Sequence, residues 1–203
     1  MAKLVGLMLV AAAFLCAGST PAFAQDDGKK DLMKDVKAAQ DAMRKAAKPG
    51  PEHAILARMA GTWKAVTRDF AAPGKPRVSE GTATMTMILG GRFLMHEFSG
   101  TSHGKPFEGM GISGYDNVKQ KYVDIWMDDM MTSISVMEGT YDPKTRIGVS
   151  QGDVQVPGGG TVKMRGVSKE VSDDERFFEM FVTGPKGKEK KVFEITYTRV
   201  TSQ

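Results

Sequence analysis

The chain has 203 residues, 41% of them hydrophobic, with 28 Lys and Arg against 24 Asp and Glu, a formal net charge of +4 and a single cysteine. That length supports one sizeable core and therefore one main domain. A lone cysteine excludes intrachain disulfides and Cys-based zinc sites, and charges this evenly interspersed argue against a nucleic-acid-binding face.

In chain order, the first segment reads as a secretory signal. Lys3 supplies a positive start, Leu4 to Cys16 are apolar, Pro21 breaks the run, and Ala22-Phe23-Ala24 gives a small-x-small cleavage pattern before Gln25. The apolar run is too short for a spanning helix. A signal peptide over residues 1–24 implies a periplasmic or secreted protein that has no membrane span after cleavage. Cys16 would leave with it, as would Lys3, so the remainder would carry +3 and no cysteine. Leu15 before Cys16 argues against a lipidated cysteine.

Residues 25–50 read as a polar helical leader or linker. Leu32, Val36, Ala39 and Met43 form one thin helical stripe, and Pro49-Gly50-Pro51 ends it. A second short helix is expected from Pro51 to Ala60. Pro51 suits its first position, Glu52 suits the positive end of its dipole, and Ile55, Leu56 and Met59 share a face.

From Thr62 the hydrophobic period changes to two. Candidate strands are Trp63–Phe70, Arg77–Leu89, Arg92–Gly100, Phe107–Gly114, Tyr122–Asp128, Thr132–Thr140, Ile147–Ser150, Thr161–Val171, Arg176–Thr183 and Lys191–Val200. Turn residues such as Gly90-Gly91, His103-Gly104, Asp142-Pro143 and Gly158-Gly159-Gly160 separate them. Ala83, Met85, Met87 and Leu89 face one way and Thr82, Thr84 and Thr86 the other. Many short strands without long helices between them predict an all-β domain over residues 51–203, preceded by short N-terminal helices. An antiparallel up-and-down barrel of about eight to ten strands would remove the exposed sheet edges.

Three residue sets carry a resemblance: Gly61-Thr62-Trp63 after a short helix; Gly114-Tyr115-Asp116, Lys121-Tyr122-Val123, Trp126, Asp128 and Met130; and Glu138-Gly139-Thr140-Tyr141-Asp142. In this order they resemble the bacterial domain-of-unknown-function family 1579, over about Gly50 to Val200. The Gly-x-Trp opening also resembles the calycin superfamily of lipocalin-like barrels. That resemblance implies that Trp63 closes one end of the barrel beneath an arginine near the last strand, for which Arg199 is well placed, as a structural pair.

A calycin-like barrel implies an interior that is either packed or holds one small apolar or amphipathic molecule. The candidate lining is Met85, Met87, Met95, His96, Phe107, Tyr122, Trp126, Met137, Met164 and Met180, with His96, Tyr122 and Trp126 near an opening. Thioethers adapt to varied apolar shapes but also fill irregular cores. No catalytic residue, metal site or cofactor is predicted. Copper through Met127, Met130 and Met131, or haem through His96, are the minor cofactor readings, because the three histidines lack ligand spacing. Serine-elbow, zincin and phosphate-loop motifs are missing from the sequence. The rival readings are an enzyme using Asp128 or Glu97 with His96, and an interaction module that gathers Trp126, Met127, Met130 and Met131 on a filled barrel. Oligomeric state is not legible.

Overall fold

The computed structural model describes residues 26–201 apart from 157, 185 and 186, so the expected signal peptide lies outside the described residues. The chain divides into two units, one ending at Met43 and one beginning at Arg44. Helix α1 (Asp26–Ala46), rich in Ala, Lys and Asp, supplies the described part of the first as far as Met43, and its last turn belongs to the second. Leu32, Met33, Val36 and Met43 stand exposed along it. No helix among the described residues is long and apolar enough to cross a membrane.

The second unit opens with α2 (Pro51–Ala57). Ten strands follow: β1 (Gly61–Asp69), β2 (Arg77–Ile88), β3 (Phe93–Ser102), β4 (Lys105–Asp116), β5 (Lys121–Asp128), β6 (Ser135–Asp142), β7 (Ile147–Gln155), β8 (Thr161–Glu170), β9 (Glu175–Thr183) and β10 (Glu189–Arg199). Each strand pairs antiparallel with the next, and β10 returns to β1, where Trp63 lies opposite Arg199, to close the barrel. This is the up-and-down barrel expected from the alternation, with the strand count fixed at ten.

Two strand limits differ from the sequence reading by more than two residues. Ser135 rather than Thr132 begins β6, because the chain past Asp128 first turns, with the Met130 amide donating to the Asp128 carboxylate. Strand β7 runs on past Ser150 to Gln155, because β8 pairs with it along its whole length. Gly152 and Asp153, poor strand formers, are carried by that pairing.

Closure gives the barrel a defined interior. The inward positions alternate as Trp63 and Ala65 on β1, Ala83, Met85 and Met87 on β2, and Leu94, His96 and Phe98 on β3. Aromatic rings lie flat on glycine backbone across the strand. A Cβ at Gly81 would strike Phe98, at Gly109 or Gly111 the Trp126 indole, and at Gly166 the Phe178 ring. Such glycines let strands coil tightly while the ring of the neighbouring strand covers the gap.

One end of the barrel is bolted. Helix α2 packs over β2, β3 and β4 there, with Leu56 in the core. Trp63 is fully buried and its indole N–H donates to the Met59 carbonyl at 2.9 Å. Arg199 covers the ring, its Cζ 4.1 Å from the centroid, and donates to the carbonyls of Ala60 and Arg58. Arg176 approaches the same indole at 5.3 Å and pairs at 3.1 Å with the buried Glu170, which also receives Arg58 and Arg146.

Candidate binding site in the barrel interior

The inner wall has two contrasting halves. Trp63, Met85, Leu94, Phe98, Trp126, Phe178 and Tyr197 make a bulky side. Across β6, β7 and β8 the inward positions Gly139, Gly148, Ser150, Gly152, Gly166 and Ser168 are small, and Met137, Tyr141 and Met164 stand among them. A ten-stranded barrel is wider than the eight-stranded size that side chains just fill, and this half of the wall carries fewer bulky side chains than the other. Ser168 is exposed although it points inward, and Tyr122, Asp124, Tyr141, Ser150 and Phe178 keep partial exposure. These side chains border space inside the barrel.

That space has a polar margin. Asp124 lies between Tyr122 and Trp126 on the inner face of β5, accepts a 2.5 Å hydrogen bond from the Ser113 hydroxyl, and has its pKa raised by burial despite that bond. His96 sits against Trp126 and Tyr197, with ring centroids 5.4 and 6.2 Å apart. Burial pushes its pKa down to about 4, so the imidazole is neutral at pH 7, and its Nε2 is buried without a hydrogen-bond partner. Burial likewise raises the Tyr197 phenol and pushes Tyr122 up to about 12. The interior groups near the space are therefore mostly neutral, apart from an Asp124 whose charged form is disfavoured.

Of the residues singled out from sequence, Met85, Met87, His96, Phe107, Tyr122, Trp126, Met137, Met164 and Met180 occupy inward positions. Met85, Met137 and Met180 are buried and fill the core, whereas Met87, Phe107 and Met164 are partly exposed. Met95 does not join them: it pairs with Thr86 and Ile112 on the outer face, since His96 beside it points in. Tyr122 is at the bolted end rather than at an opening, and its hydroxyl donates to the Glu52 carbonyl of α2. Glu97 also faces outward, so the pairing of Glu97 with His96 in one catalytic site fails on strand parity. Trp126 points inward and Met127 outward, so these two do not gather in one cluster. Asp128 accepts from the Trp126 indole at 3.0 Å and acts as an anchor for that ring.

The Asp124–Ser113 pair and the Gly/Ser wall were missed by the sequence reading. A signal for Asp124 was present: alternation through Tyr122, Asp124 and Trp126 puts a carboxylate on an aromatic inner face. At the end opposite α2, a cleft of about 420 Å³ is lined by Thr67, Asp69, Arg77, Ser79, Ser102 and His103. There His103 Nε2 meets Asp69 Oδ2 at 2.7 Å. A second cleft of about 380 Å³ crosses the rim between β7 and β10. Among the described residues no group of three or more His, Cys, Asp or Glu converges on one point.

A closed ten-stranded meander with a short helix over one end and a Trp–Arg bolt defines a calycin-type, lipocalin-like barrel. The chain belongs to the DUF1579 family, described as protein of unknown function, which matches residues 48–199. No curated protein matches the chain significantly. Among solved structures, Rv2717c from M. tuberculosis is similar with a TM-score of 0.56 and 12% identity, over 76% of this chain and 100% of that one. The S-type phycobiliprotein lyase CPES from Guillardia theta is similar with a TM-score of 0.54 and 8% identity, over 75% of this chain and 94% of that one. At these identities the likeness is one of fold.

Proposed function

We propose that this protein is an exported, non-catalytic carrier that holds one small apolar or amphipathic molecule inside its barrel. The observation that carries this reading is the wall of Gly139, Gly148, Ser150, Gly152, Gly166 and Ser168, with Ser168 exposed although it faces inward. On the strands that flank that wall, Trp126 and Phe178 offer aromatic surface to an apolar body. Asp124, Ser150, Ser168 and Tyr141 offer hydrogen bonds along one edge. A site with a few placed polar groups in a mainly apolar surround suits a neutral amphipathic molecule and disfavours an ion, whose desolvation the interior would not repay. The lipocalin-like fold is compatible with this role by analogy.

Native mass spectrometry of protein expressed from the full chain tests the proposal, with denaturing extraction of anything bound. The measured mass also reports whether the chain begins at Gln25. The expected result is a stoichiometric neutral adduct that is lost in Ser150→Phe, a variant that fills the space without touching the bolted end. An adduct-free protein that also fails to bind a fluorescent naphthalene probe, with an unchanged probe response in Ser150→Phe, would refute the carrier reading.

A further inference from the structure

The outside of the barrel is divided as sharply as its inside. On β8 to β10 and the flanking strands, outward charges pair with one another: Arg165 with Glu189, Lys191 with Glu179 and Glu194, Arg68 with Glu194, and Lys64 with Glu80. On β4, β5 and β6 the pattern inverts. The outward positions Met110, Ile112, Gly114, Val123, Ile125, Met127 and Val136 carry no charge. They register into straight rows. Met95, Ile112, Ile125 and Val136 run across four strands, and Met110 faces Met127 beside it. The row continues into the turn before β6, where Met130, Met131 and Ile134 are 59%, 46% and 61% exposed. An antiparallel sheet facing water normally alternates apolar-in and polar-out; the central stretch of these three strands instead turns an apolar face outward.

From this we infer that the outer face of β4, β5 and β6 is the interface of a homodimer, formed by the same face of a second copy across a two-fold axis. Three features select that occupant. A face without charge has nothing with which to recognise a charged partner, and its best complement is another face without charge, which a second copy supplies by symmetry. The rows are registered from strand to strand, so the same rows on a second copy can pack against them across the two-fold axis. The size is also right: Phe93, Met110, Met130, Met131, Ile134, Val136 and Val149 together expose on the order of 600 Å², against about 800 Å² per partner in a standard interface, and the partly covered Ile112, Val123, Ile125 and Met127 make up the shortfall. Glu97, Glu108, Lys121 and Glu138 border the patch and would form its wet rim.

Analytical ultracentrifugation of protein expressed from the full chain tests the inference, with light scattering as a second measure of mass. The expected result is a dimer whose dissociation constant rises by about 100-fold or more in Val136→Glu and in Ile125→Arg, each placing a charge at the centre of the face. Far-UV circular dichroism should show both variants folded. Thr198→Glu, a comparable change on the outer face of β10, should leave the dimer intact. Wild-type protein that stays monomeric up to about 100 µM overturns the inference, as does a dimer indifferent to both substitutions. A monomer that floats with phospholipid vesicles also overturns it and reassigns the face to a lipid surface.

Discussion

At the residue scale the interior polar groups make the sharpest predictions. Folded His96 titrates near 4 against an ordinary value of 6.5, so the unfolded chain takes up its proton first as the pH falls. Stability is therefore retained above about pH 6.5 and lost as the pH drops toward 4, by on the order of 3 kcal/mol in total. Urea midpoints at pH 7.5 and 4.5 should show this loss in the native chain and a much smaller one in His96→Phe. Asp124 works with the opposite sign, because its raised pKa favours the neutral acid. Asp124→Asn should thus stabilise the fold at pH 8 more than at pH 4 in the same measurement. His96 was legible as a strand histidine on the face of Leu94 and Phe98. Its lack of a partner was not, because that depends on which rings β5 and β10 bring against it.

At the element scale, period-two alternation gave all ten strands, and it also contained the parity that rejects Met95 and Glu97 from the interior. What alternation does not give is height along the barrel. Tyr122 reads as a pocket residue of unspecified depth until one follows strand direction: odd-numbered strands leave the α2 end, so the start of β5 lies beneath that helix. Glycines are similarly mute in sequence. Gly109 and Gly111 look like breaks in a strand, yet the Trp126 indole lies across them. Gly109→Ala should cost about 1–3 kcal/mol, since a rigid ring rather than a flexible chain end must move. With only Trp63 and Trp126 present, and Trp63 fully buried, the displaced indole should report itself as a shift in tryptophan emission.

At the scale of the whole molecule, the bolted end holds the barrel's only buried charge pair among the described residues, Glu170 with Arg176, each side chain 7% exposed. Coulomb attraction at that burial only about offsets desolvation, so the pair adds little by its presence, but breaking it strands a buried guanidinium. Glu170→Ala should therefore cost about 3–5 kcal/mol in a urea titration, and Glu170→Gln, which can still accept from the arginines, less. The sequence pointed to Arg199 over Trp63 through the Gly-x-Trp opening. It gave no hint of Arg176 on the same ring or of Glu170 beneath it, because those residues meet only when β8 and β9 arrive at the same end.

The order of the strands also has a temporal consequence. Nine of the ten strand pairings join neighbours in sequence, and each can form as soon as its hairpin has been made. The tenth, β1 with β10, joins the two ends of the barrel and must wait for the final strand of the chain. Until Arg199 reaches Trp63, β1 and β10 both present unpaired edges, the surfaces most open to pairing with another molecule. The Trp–Arg bolt is thus the last step of assembly as well as a brace, and the interval before it forms is when this chain most needs protection.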